Sequence, residues 1–361
     1  SRFKSLKESA EDQVYNVCKD VFAQLDSTYN GSVFAQRSEL DAVTVSNRIL
    51  VHILRDFLPD HSRYNFKVIP VEILGTIYEQ FLGKVVITTD KRARIEYKPE
   101  MRKKGGVYYT PPYVVDYIVQ HSLKPLLAKC SSMSDLMNLR ICDPSCGSGS
   151  FLSAAYDALL AWAIAFYASR KLTREEQKLV HRDARGVVRL GSKLKREILR
   201  SCIFGVDIDP QAVEVTKLSL SLKALEDTNH AEVYDERTLW HTTILPHLDS
   251  NIKCGNSIVS TDYEAQARLL KDGSAAFINS FDWRSEFKAI MHDGGFHAII
   301  GNPPYGMATG DVLKKYLKAT YSCLEGRYDL FEVFVERAYQ LLRSEGQFGY
   351  IIPSPVLTNL Y

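Results

Sequence analysis

The sequence predicts an α/β protein in which a mainly parallel sheet, covered by helices on both faces, follows an α-helical domain. Three observations predict it. From residue 107 onward, short apolar runs alternate with stretches of helix length. The runs are nearly continuous in apolar residues, as strands buried on both faces are. Before residue 105 the apolar residues recur mostly at helical spacing.

Taken in order, "SAEDQVYNVCKDVFAQL" places Val14, Val17, Val21, Phe22 and Leu25 on one helix face. "VSNRILVHILRDFLP" and "PVEILGTIYEQFLGK" predict two further amphipathic helices, the second with Pro70 at its start. "VVITTDKRARIEYKPEMRKKGG" turns β-branched and basic and predicts a hairpin or ordered loop, with Gly105-Gly106 as a boundary. The domains are therefore expected at 1–104 and 105–361. In the second, "PPYVVDYIVQHSLKPLL" predicts a helix, "LRICDP" a strand and "GSFLSAAYDALLAWAIAFYA" a helix. A basic helical stretch leads to the strand "CIFGVDID" and the helix "PQAVEVTKLSLSLKAL". "NIKCGNSI" and "FHAIIGN" predict two more strands, and "YDLFEVFVERAYQLLRS" a helix before the strand "GQFGYIIPS".

Composition bounds the class. The 361 residues are 45% hydrophobic and 24% charged, ordinary for a globular protein with room for two domains. A net charge of +2 is too small to announce a polyanionic partner, so any basic face must be local. The apolar stretches read as too short to span a membrane, and no signal-peptide layout opens the chain. Seven cysteines at irregular spacing fit a reducing, cytoplasmic compartment, and they supply no metal spacing. A start at Ser1 and a stop at Tyr361, soon after a strand-like run, suggest a fragment.

The strand exits carry the chemistry. Ligands of open α/β sheets bind beyond the carboxyl ends of strands, and "DPSCGSGSF" lies at such an end. Gly147 and Gly149 let backbone approach a ligand closely, the helix start offers N–H groups, and Asp143 could hold a cation. No Lys-Ser/Thr follows, which excludes a Walker A loop, and the spacing is not Gly-x-Gly-x-x-Gly. A ligand with an ammonium, a carboxylate and no phosphate suits the turn best. In "GVDIDP", Asp207 is the candidate for a ribose diol and Ile208 for an adenine face, while Asp209 reads as a helix N-cap. Asn256 on the next strand could face the amino edge of that adenine. Each alone could be a capping residue; three on successive strands are harder to dismiss.

The order "YYTPPYVV", "DPSCGSGSF", "GVDID", "GNS", "NPPY" resembles the γ-class N6-adenine DNA methyltransferases, which bind S-adenosylmethionine on a Rossmann-like sheet. "YNGSVF" and "VIPVEILGTIYEQFLGK" resemble the helical connector of type IIG restriction–modification methylases, and BREX methylases have similar stretches. The resemblance implies that Thr110 and Pro111 contact the methionine part of the cofactor. Asp143, Cys146, Gly147, Gly149 and Phe151 would form its floor. Asp207 would hold the ribose, Ile208 and Phe334 would lie near the adenine, and Asn256 would meet its amino group, where the family often has Asp. It further implies double-stranded DNA as partner, with a nuclease and a target-recognition domain outside this chain. Without that domain, this segment is expected to bind cofactor but methylate DNA weakly or not at all.

"GNPPYG" completes the set. The prolines fix the turn and remove two backbone donors, leaving carbonyls free to accept. The lone pair of adenine N6 is delocalised into the ring. Acceptors at the Asn302 side chain and the Pro303 carbonyl, in a turn held by Pro303 and Pro304, would free it for in-line attack on the sulfonium methyl. Tyr305 would stack on the extruded base, and Tyr361 could close its other side. A rival reading is glutamine methylation of release factors, which also uses Asn-Pro-Pro-Tyr; another is a non-catalytic DNA-binding module. "KRARIEYKPEMRKK", with roughly five net positive charges, and residues 171–200, with about six, read either as phosphate contacts or as solvated faces. Asp90 with the following "EYK" echoes a nuclease pattern, but a charged hairpin explains it.

Overall fold

The computed structural model describes residues 13–29, 46–57, 73, 75, 77, 84–89, 92–97, 110–226, 245–263, 278–306, 311–324 and 328–354. The chain divides into two compact units, Ser1–Ile73 with Leu225–His247, and Leu74–Ala224 with Leu248–Tyr361.

In the first unit, α1 (Val14–Tyr29) and α2 (Asn47–Phe57) meet, and the Tyr15 N–H donates to Asn47 Oδ1 at 2.8 Å. Val14 and Cys18 are buried on α1, whereas Phe22, expected on the same face, is exposed. The "YNGSVF" stretch and most of "VIPVEILGTIYEQFLGK" lie outside the described residues.

The second unit opens with the predicted hairpin, β1 (Lys84–Thr89) antiparallel to β2 (Arg92–Tyr97). After it, α3 (Pro112–Lys129) starts on Pro112, where a proline loses no helical hydrogen bond. Next come α4 (Met133–Met137), β3 (Ile141–Asp143) and α5 (Ser150–Ala168). By length and composition α5 could cross a membrane, contrary to the expectation that no apolar stretch is long enough. In the fold it is a core helix: Phe151, Leu152, Ala155, Tyr156, Leu159 and Ala163 are buried.

The basic stretch 171–200 departs from the helical expectation. It forms a hairpin of β4 (Val180–Arg182) and β5 (Val188–Leu190) before α6 (Ser192–Cys202). Two features dictate this. Val180, Val188 and Leu190 bury one face, and the Asp183 carboxylate accepts from the N–H groups of Arg185 and Val187 to close the turn.

The remaining elements are β6 (Ile203–Asp207), α7 (Pro210–Leu225), β7 (Ile252–Cys254), α8 (Trp283–Glu286), α9 (Lys288–His292), β8 (Phe296–Gly301), α10 (Asp311–Thr320), α11 (Leu330–Leu341) and β9 (Leu342–Tyr350). β9 begins earlier than expected because a register shift opposite Phe296 and Ala298 absorbs several extra residues.

The sheet runs in the order β7-β6-β3-β8-β9, and every pair is parallel. Alternation feeds two cores. Ile141, Ile203, Ala298 and Ile300 join the side chains of α3, α5 and α6. Cys142, Phe204, Val206 and Ile299 face Trp283, Phe287, Ala338 and Leu341 on the other side. Strand order reverses between β3 and β8, so the chain leaves those neighbouring strands in opposite directions and opens a crevice between them.

Candidate functional site

Asp143 ends β3 and Asn302 follows β8, so the reversal of strand order brings the two most informative motifs together. The loop after β3 is tied to β6. Cys146 N–H donates to Val206 O at 3.0 Å, and Gly147 N–H to Asp207 Oδ2 at 2.8 Å. The Thr216 hydroxyl, from α7, donates to Gly147 O at 2.8 Å. Gly149 begins α5 at φ +85°, and a Cβ there would meet the Thr216 side chain at 2.8 Å.

Asp207, expected to hold a ribose, accepts backbone N–H groups from Gly147 and, at 2.9 Å, from Asp209. A carboxylate has about four acceptor positions, so capacity for a diol remains. Burial raises its pKa against these hydrogen bonds. Asp209 caps α7 as expected, accepting from Gln211 N–H at 2.9 Å. Ile208 beside it is 52% exposed, an apolar face at a strand end.

Asp143 is 1% exposed. Ser145 N–H donates to its Oδ1 at 2.9 Å, and no Lys, Arg or His pairs with it among the described residues. Burial is the main cause that raises its pKa to about 8; the Ser145 N–H opposes the rise and the Asp207 charge adds to it. Gly301, at φ +153°, makes this burial sterically feasible: a Cβ there would lie 2.6 Å from Asp143 Oδ1. Paired with Gly301 across β8 and β9 is Tyr350, whose buried hydroxyl has no partner among the described residues. Burial, then the charges of Asp143 and Cys142, raise its pKa.

The turn after β8 is internally braced. Asn302 Nδ2 donates to Thr110 Oγ1 at 3.0 Å, an orientation that leaves Oδ1 as an acceptor. The Tyr305 hydroxyl faces two acceptors, Asn302 Oδ1 at 2.8 Å and Ile351 O at 3.0 Å. Gly306 N–H donates to Asp329 Oδ1 at 2.6 Å, and Leu330 N–H returns to Gly306 O at 2.8 Å. Asp329 also caps α11, so one carboxylate fixes both the turn and the helix. The Tyr305 ring stands at an angle to Phe331, with 6.2 Å between centroids. The Pro303 carbonyl accepts no hydrogen bond among the described residues.

Other predicted residues sit less directly at the crevice. Thr110 touches Asn302, and Pro111 occupies the N-cap position of α3. The Cys146 side chain is buried in the core beneath β6, and Phe151 is buried in the same core. Asn256 Oδ1 accepts from Ile258 N–H at 3.2 Å, and Phe334 is buried with Ile258 and Val259 beside it. Pro304 is exposed within the turn, and Tyr361 lies outside the described residues. Thr216, Gly301, Tyr350 and Ile351 were missed; only Gly301 carried a sequence signal, as the glycine before Asn302.

The donor set suits a ligand with an ammonium, a ribose and a flat base. A buried carboxyl without counter-ion, the Asp207 carboxylate and exposed Ile208 occupy consecutive strand exits, and nothing stands within 4 Å of where a side chain at Gly147 would begin.

A model of the Eco57I restriction-modification methylase family matches residues 201–361. The Type II restriction enzyme and methyltransferase RM.Eco57I of Escherichia coli is 28% identical over 365 residues, covering 98% of this chain and 33% of that protein. The adenine-specific methyltransferase PglX of Streptomyces coelicolor is 26% identical over 253 residues, covering 69% of this chain and 18% of that protein. The chain thus spans a third or less of the length of these relatives. Among solved structures, the Type IIL restriction-modification enzyme MmeI in complex with DNA shares the fold, with a TM-score of 0.51 and 16% identity over 97% of this chain and 43% of that one. Residues 201–361 therefore match the Eco57I restriction-modification methylase domain, the kind of protein that the order of motifs resembles.

Proposed function

We propose that residues 105–361 transfer a methyl group from S-adenosylmethionine to N6 of an adenine flipped out of double-stranded DNA. The setting is a restriction–modification or phage-defence system in the cytoplasm. Residues 1–104 serve as a helical connector, and a nuclease and a target-recognition domain act with them from outside this segment. The observation that carries the proposal is the adjacency of the Asn302–Tyr305 turn to the Asp143 loop at the reversal of strand order.

The cofactor supplies an electrophilic methyl group on a sulfonium. On this reading, Asp143 receives its ammonium, Asp207 its ribose and Ile208 its adenine. Asn302 Oδ1 and the Pro303 carbonyl accept the two N6 hydrogens of the target base, which draws the nitrogen lone pair out of conjugation. Thr110 holds the Asn302 amide in the required sense. Tyr305 keeps a hydrogen-bond acceptor in Ile351 O when the base takes Asn302 Oδ1, so its hydroxyl need not be stranded. Its ring then packs on the extruded base, an interaction worth roughly 1–3 kcal/mol.

Calorimetric titration of this chain with S-adenosylmethionine tests the first half of the proposal: binding is expected, and its loss in Asp207→Ala is expected. Failure of the unaltered chain to bind would refute it.

A further inference from the structure

The surroundings of Asp143 lead beyond simple occupancy. Its carboxyl is almost wholly withdrawn from water, rests against Gly301 and receives one backbone N–H, that of Ser145. The groups around it are no better placed to carry a compensating charge. From β3 comes the buried Cys142 thiol, from the loop the buried Cys146 thiol, from β6 the Asp207 carboxyl, and from β9 the Tyr350 phenol. All are acids, and no cation joins them among the described residues. An ionised carboxylate in such a place is strongly disfavoured, so the group keeps its proton instead.

We propose, on the cofactor reading given above, that S-adenosylmethionine enters this site in exchange for a proton released from Asp143. The step balances. The carboxyl O–H bond breaks, its electron pair stays on oxygen, and the proton passes to the solvent buffer. The incoming ammonium keeps its own protons and becomes the counter-charge that the pocket lacks. No oxidant, reductant or covalent intermediate is involved. A pKa raised by burial to about 8 is in keeping with a carboxyl that is still mostly protonated at neutral pH.

The test is titration calorimetry of the chain with S-adenosylmethionine at pH 6 to 7, repeated in buffers of different ionisation enthalpy. About one proton is expected to leave per cofactor bound, with affinity rising about tenfold per pH unit over that range. Asp143→Asn is expected to bind with no proton release and a flat pH profile. Because that variant could disturb folding, the unaltered chain is also titrated with an S-adenosylhomocysteine analogue lacking the α-amino group, for which no release is expected. Cofactor binding without proton release, or equal release with the deaminated analogue, overturns the inference while leaving the cofactor reading intact. No binding at any pH overturns both.

Discussion

The two edges of the sheet each bury an ionisable group, and they do so to different ends. At the carboxyl edge, Asp143 is withdrawn from water with one N–H and no cation. At the amino edge, His297 near the start of β8 accepts the Arg140 N–H on Nδ1 at 3.1 Å, and its Nε2 lies 2.7 Å from the Arg343 guanidinium. Burial, then the charges of Arg343 and Arg140, lower the His297 pKa to about 4, so the ring stays neutral. Both groups are discharged by burial, but only at the amino edge do charged protein groups, Arg343 and Arg140, stand beside the buried one. A neutral imidazole keeps one ring nitrogen as acceptor for the Arg140 N–H, whereas a protonated ring would keep none, so the amino edge favours the neutral histidine with protein groups alone. The carboxyl edge lacks only a positive charge, which is what a ligand can bring.

The largest expected effect lies at the carboxyl edge. Asn302→Ala should lower methyl transfer by the full-length protein roughly 100- to 1000-fold, the usual cost of losing one group aligned with developing charge. Cofactor affinity should stay within about twofold by calorimetry, because the proposal sets Asn302 against the base and not the cofactor. Gly301→Ala comes next. Its Cβ would press on Asp143, and a loss of about 1–3 kcal/mol is expected in urea unfolding.

Opposed pH dependences sharpen the comparison. The folded pKa of Asp143 lies above its unfolded value, so the folded state holds the extra proton. Stability without cofactor should therefore fall as pH rises from about 4 to 8, with a limiting slope near 1.4 kcal/mol per unit, and Asp143→Asn should flatten that limb. The folded pKa of His297 lies below its unfolded value, so stability should fall as pH drops from 6.5 to about 4. That slope should be shallower because the ring is only half-buried, and His297→Gln should remove it. Denaturant midpoints across pH measure both limbs; the same slope in Asp143→Asn as in the parent would show that other acids dominate.

Much of the site was readable because strand exits are local. Asp143, Asp207 and Asn302 each close an apolar run, and their order along the chain points to the sheet that unites them. What escaped is held by distant partners. Thr110 was named for the cofactor, but its contact with Asn302 spans 192 positions, and no spacing rule connects a threonine before a helix to an amide after a strand. Tyr350 looked like one more apolar strand residue until its pairing with Gly301 set it beside Asp143. The basic stretch 171–200 read as helical throughout, yet only its end, from Ser192, is α-helix; Asp183 and three buried aliphatic side chains make 180–190 a hairpin. β9 was placed late for a related reason: its first residues pair through an irregular register that alternation cannot show.

The most direct measurement follows an isotopically labelled methyl group from S-adenosylmethionine, with the full-length protein, duplex DNA and release factor offered together. Label recovered as N6-methyladenine, and lost with Asn302→Ala, is the expected result. Label on a glutamine side chain or on another atom of DNA would contradict the assignment of the crevice between β3 and β8.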